Sequence, residues 1–139
     1  MTQAIREVMT SDPVCVDPHA SAADAARKMR DVDSGAILVT EGDELRGMLT
    51  DRDIVVRAIA DGRDPSQVEV GEICSAQLET LTPDDDADRA VQLMRKRHVR
   101  RIPVLEGGHP VGIVSIGDLA LARDERSALA DISGAAPNR

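Results

Sequence analysis

Apolar positions along the chain change their period several times, and they do so twice in the same order. Val14-Cys15-Val16 is a short β-type run ending at a proline. Ser21 with Asp24 has the spacing of a helix-capping pair. Ala22, Ala25, Ala26 and Met29 follow at i, i+3, i+4 and i+7, the stripe of an amphipathic helix. Ala36 to Thr40 reads as a buried strand, Glu41-Gly42-Asp43 as a hairpin turn, and Leu45 to Leu49 as the returning strand. Thr50 then opens a second helix over Asp51 to Ala60. The later chain repeats this order. Leu78 to Thr82 is the β-type run, and Asp86 caps a helix striped by Ala87, Ala90, Val91 and Met94. Ile102 to Leu105, the turn Glu106-Gly107-Gly108 and Val111 to Val114 form the second hairpin. Ser115 opens a last helix from Ile116 to about Glu125.

The parallel extends to residue identity. Shifted by 65 positions, Val8 to Ile54 aligns with Ile73 to Leu119 without a gap, and 11 of the 47 pairs are identical. Such self-similarity is the mark of an internal repeat. The segmentation expected is a lead-in helix at 3–8, a first repeat at 8–62, a linker at 63–72, a second repeat at 73–127 and a tail at 128–139. Each repeat runs strand, helix, strand, strand, helix. A unit of about 50 residues buries too little surface to be stable alone. Two such units packing their sheets together, with pseudo-two-fold symmetry, give an α+β (α/β-type) sandwich.

Composition narrows the function. The chain has no Phe, Tyr or Trp, so base-stacking platforms for single-stranded nucleic acid are excluded. Net charge is −8 and only Lys28 and Lys96 are lysines. An acidic surface repels phosphate backbones and anionic lipid, so neither nucleic acid nor membrane is expected as a partner. The run Arg95-Lys96-Arg97 reads as a solvated helix end that complements the helix dipole. No apolar run reaches the length of a membrane span, and Met1 to Glu7 has no signal-peptide pattern. Cys15 and Cys74, with His19, His98 and His109, offer no metal-ligand spacing and no disulfide framework. No nucleophile motif or P-loop is present. A reduced, cytoplasmic, non-enzymatic protein is expected, with neither metal nor required cofactor.

The duplicated segments Gly47-Met48-Leu49-Thr50-Asp51-Arg52-Asp53 and Gly112-Ile113-Val114-Ser115-Ile116-Gly117-Asp118, with Arg101-Ile102-Pro103-Val104, carry a resemblance. Over nearly its whole length the chain resembles a tandem pair of cystathionine-β-synthase (CBS) domains, a Bateman module. It is similar to small stand-alone actinobacterial proteins of hypoxic-response type. The resemblance implies a regulatory module. An adenosine-containing ligand such as AMP, ADP, ATP or S-adenosylmethionine would bind in clefts between the repeats. It also implies that Asp53 and Asp118 grip ribose hydroxyls while Thr50 and Ser115 face ribose or phosphate. A homodimer is the expected assembly, with Val56 and Leu121 as candidate contacts, and a separate partner protein would read the ligand state.

The residue types suit that chemistry. A carboxylate is acceptor-only and can take both hydroxyls of a vicinal diol. A hydroxyl at a helix start sits beside backbone N–H groups that favour an anion. Arg52, Arg100 and Arg101 are candidate phosphate donors. Val16 with Ile37, and Leu81 with Ile102, are candidate walls for adenine, giving apolar burial without aromatic stacking. Thr50-x-x-Asp53 and Ser115-x-x-Asp118 are equally the pattern of a helix-capping box. Leu38 stands opposite Pro103, and Gly35-Ala36 opposite Arg100-Arg101, so the two sites should differ. The competing readings are an interaction or dimerisation module with empty clefts, and a redox- or metal-responsive stress protein.

Overall fold

The structure is a computed structural model and describes residues 3–123. In chain order its elements are α1 (Ile5–Val8), β1 (Thr10–Ser11), β2 (Cys15–Val16), α2 (Ala22–Val32), β3 (Ala36–Glu41), β4 (Glu44–Thr50) and α3 (Asp51–Ile54). After a π-helical turn at Val55–Ile59 come α4 (Val70–Ile73), α5 (Ala87–Arg97), β5 (Arg101–Glu106), β6 (His109–Ser115) and α6 (Ile116–Arg123). The expected tail at 128–139 and the end of the last helix at Glu125 lie outside the described residues.

The chain divides into two compact units. One is Pro13–Leu78. The other joins the stretch up to Asp12 to the stretch from Glu79 onward. The first unit holds a three-stranded sheet in the order β2-β3-β4, and the second a sheet in the order β1-β6-β5. The β3–β4 and β5–β6 hairpins are antiparallel and share a register shift at equivalent places, between Val39 and Thr40 and between Val104 and Leu105. Gly42 and Gly107 turn them with φ of +63° and +59°, a region open to glycine at no steric cost. α2 begins at Ser21, whose hydroxyl accepts the Asp24 N–H at 3.0 Å. It ends at Asp33 in the left-handed region, as α5 ends at His98.

The segment before each repeat completes the other one. Ile5 and Val8, ahead of the first repeat in sequence, are buried in the core of the second unit with Leu81, Ala90 and Ile102. There the Ile5 N–H donates to the Asp85 carbonyl and the Ala87 N–H to the Gln3 carbonyl, each at 2.8 Å. Thr10 pairs with Ile113. The stretch expected to be a linker, together with the first residues of the expected second repeat, does the same in the first unit. Val68, Val70 and Ile73 join the core of Ala22, Ile37 and Leu49. The Val70 N–H donates to the Ala20 carbonyl and the Ala22 N–H to the Val68 carbonyl, again at 2.8 Å, while Met48 and Ser75 exchange backbone bonds of 3.0 Å. Each bond in one unit is its counterpart in the other moved by 65 residues.

Several expectations are corrected in detail. Ala26 is exposed, so the buried stripe of α2 is Ala22, Ala25 and Met29. The run Leu78 to Thr82 forms only one parallel bridge, Leu81 to Val104. The helix expected over Asp51 to Ala60 is α-helical only to Ile54 and then widens into the π-helical turn, with Ala58 buried and Val55, Val56 and Ile59 turned outward.

Candidate functional site

The two segments singled out by sequence occupy matching corners, where a hairpin strand runs directly into a helix. In the first unit the Thr50 hydroxyl accepts the Asp53 N–H at 3.1 Å, and Asp53 Oδ2 accepts the Thr50 N–H at 2.9 Å. In the second, Ser115 Oγ accepts the Asp118 N–H at 3.1 Å and Asp118 Oδ2 accepts the Ser115 N–H at 2.9 Å. Both are reciprocal capping boxes, so each carboxylate has one oxygen committed to its own backbone. The helix-start amides are tied to the strands as well. Asp51 N–H donates to the Gly35 carbonyl and Ile116 N–H to the Arg100 carbonyl, both at 2.9 Å.

Beyond the boxes the corners diverge. Arg52 N–H donates to Asp51 Oδ1 at 2.8 Å, so the first three amides of α3 are all engaged. The expectation of free N–H groups beside Thr50 is therefore not met in the first repeat. In the second repeat Ile116 stands at the place of Asp51 and offers no such acceptor. Arg57 Nε lies 3.8 Å from Asp53 Oδ1, and the Asp53 side chain is only 14% exposed. Arg57 Nη1 also donates to the Ile73 carbonyl at 3.1 Å, which ties this corner to the end of α4. Ala122 is the counterpart of Arg57, and Asp118 makes no ion pair among the described residues. Sequence reasoning passed over Arg57, although its i, i+4 spacing from Asp53 is the signal for such a pair.

The remaining candidates are dispersed. Arg52 and Arg100 are exposed, whereas Arg101 is partly buried and is the strand partner of Ser115. Val16, Ile37, Leu81 and Ile102 are between 0% and 4% exposed, within the two cores. Their side chains have a packing role first, and they present no open wall. Cys74 follows α4 in the first unit. Burial pushes its thiol above the usual range, its own backbone hydrogen bond opposes this, Asp53 adds to the rise and Arg57 offsets it. His19 lies exposed between Glu69 at 3.3 Å and Glu41 at 3.8 Å. Among the described residues no three His, Cys, Asp or Glu are grouped to hold a metal. No helix among them is long and apolar enough to cross a membrane.

The CBS domain model matches residues 5–59 and 70–125, which are most of the chain. The chain belongs to the CBS-domain family. Among its relatives is the CBS domain-containing protein YhcV of Bacillus subtilis, 40% identical over 118 residues, or 85% of this chain and 84% of that protein. Hypoxic response protein 1 of Mycobacterium tuberculosis is 36% identical over 121 residues, 86% of this chain and 84% of that one. A crystal structure of Hypoxic Response Protein I with two coordinated zinc ions matches at a TM-score of 0.77 and 34% identity, over 85% of this chain and 97% of that chain. The CBS domain pair of MJ0100, in complex with 5′-methylthioadenosine and S-adenosyl-L-methionine, shares the fold at a TM-score of 0.82. It is 20% identical, over 91% of this chain and 100% of that chain. This CBS protein thus carries two CBS repeats and little else in its described part.

Proposed function

We propose that this CBS pair is a regulatory, non-catalytic sensor of an adenosine-containing nucleotide, AMP, ADP, ATP or S-adenosylmethionine. Asp118 is the ribose acceptor with Ser115 beside it, and Asp53 with Thr50 holds the equivalent position of the first repeat. Arg100 and Arg101 are the phosphate donors beside Asp118, and Arg52 is the candidate donor of the first repeat. The backbone at Val16 and Ile37, and at Leu81 and Ile102, is the candidate support for adenine. The observation that carries the reading is the second corner. Asp118 Oδ2 is fixed by the Ser115 amide, no described residue forms an ion pair with the carboxylate, and Oδ1 is the acceptor we assign to a ribose hydroxyl. The complex of the MJ0100 pair with two adenosine derivatives supports the same class of ligand. A ligand biases two states of the module only through unequal affinity for them, and a partner protein in the cytoplasm reads the difference.

A second reading, an interaction module, is favoured by Val55, Val56 and Ile59. They are 58%, 45% and 50% exposed on one short helical stretch. The two readings are compatible if the chain also forms a homodimer through that face.

A thermal-shift screen over adenine nucleotides, guanine nucleotides and S-adenosylmethionine tests the proposal. A ligand at a hundredfold excess over Kd adds about 2.7 kcal/mol to stability. A rise in midpoint with adenosine compounds alone is expected; no rise with any of them at millimolar concentration overturns the reading.

A further inference from the structure

The two corners have the same box but opposite surroundings. In the first repeat, Asp51 takes up the Arg52 amide through Oδ1 at 2.8 Å. Its carboxylate also stands at the helix start, where an incoming phosphate would meet like charge. Arg57 occupies the other flank. Its guanidinium lies 3.8 Å from Asp53 Oδ1, the oxygen that Thr50 leaves unused, and is anchored by a 3.1 Å bond to the Ile73 carbonyl. A ribose diol approaching Asp53 therefore competes with a cation already in place.

Among the described residues neither obstacle is found in the second repeat. Ile116 replaces Asp51 and Ala122 replaces Arg57. Arg101, the strand partner of Ser115, brings positive charge where the first repeat has Ala36 opposite Thr50. We infer that Asp51 and Arg57 close the first repeat to nucleotide, so that one equivalent binds per chain, held at Ser115 and Asp118. The inference rests on the nucleotide reading above and adds to it which corner is used and which residues decide.

Calorimetric titration with AMP tests it, on wild type and on D53A, D118A, D118N and the double variant D51A/R57M. Asp51 and Arg57 are exposed, so the double variant keeps its fold, which a thermal unfolding midpoint verifies. D118N keeps a side-chain acceptor for the Ser115 amide and separates loss of the charge from loss of the cap. One equivalent per chain is expected in wild type, unchanged in D53A, lost in D118A and weakened at least about fivefold in D118N, the scale of one charge-assisted bond. D51A/R57M should gain a second equivalent. Two equivalents in wild type, or binding lost in D53A and kept in D118A, overturns the inference while leaving the nucleotide reading intact. A double variant still limited to one equivalent overturns the roles of Asp51 and Arg57. No binding by any of these proteins overturns the nucleotide reading, and the inference with it.

Discussion

Gly47 passes so close to Ser75 that a Cβ added to it would stand 2.7 Å from the Ser75 carbonyl oxygen. The glycine is needed because the segment leading into the second repeat is laid along β4 of the first. Gly112 repeats the relationship with Thr10, at 2.9 Å. Gly47→Ala must push backbone apart, and a loss of about 1–3 kcal/mol is expected in urea unfolding followed by far-ultraviolet circular dichroism. An unchanged midpoint would show that the crossing segment is loosely held.

Ile5 is fully buried among Leu81, Ala90 and Ile102, far from it in sequence. Ile5→Ala should cost about 2–5 kcal/mol, as large-to-small changes in a core do. Hydrogen exchange should show the loss in β5 and β6 first, with β3 and β4 less affected. Equal loss in both hairpins, or loss confined to β3 and β4, contradicts the exchange of lead-in segments.

Thr50→Ala and Ser115→Ala each remove the acceptor of a helix-start amide. About 1 kcal/mol of stability should be lost in each case by chemical denaturation. The two losses should be similar, because the boxes have the same geometry.

The Cys74 thiol is held in its neutral form chiefly by burial, with its own backbone hydrogen bond opposing this and Asp53 adding to it. A group whose folded pKa is raised stabilises the fold below its unfolded value, and that contribution fades as pH rises through the folded one. Alkylation by iodoacetamide at mildly alkaline pH should be slower at Cys74 in the native protein than in urea. Arg57→Met, which removes an offsetting cation, should slow it further. Mass spectrometry of the labelled peptide gives both rates.

Val56→Glu places a charge in the exposed apolar stretch beside Val55 and Ile59. Sedimentation velocity should show a dimer for the wild type and a monomer for the variant. The same mass for both would remove this face from the assembly.

Much of the fold was legible in the sequence, because each hairpin carries its own turn glycine and its own alternation, and the 65-residue shift doubles every signal. The capping boxes were legible for the same reason. What the sequence hid is non-local. Ile5 and Val70 look like lead-ins to the repeats that follow them, and only the tertiary hydrogen bonds reveal which repeat each one completes. Val16, Ile37, Leu81 and Ile102 were legible as apolar but not as sealed core. The helix after Thr50 was legible, but its widening at Val55 has no sequence signature. Arg57 was overlooked because the repeat directs attention to shared positions, and Arg57 matters where the repeats differ.

The central claim is that the corner at Ser115 and Asp118 serves an adenosine ligand. Equilibrium dialysis of AMP against the wild type and the D53A/D118A variant tests it most directly, and adenine absorbance is easily read over a chain with no Phe, Tyr or Trp. The account predicts saturable retention by the wild type and none by the folded double variant. Equal retention by the two proteins would contradict it.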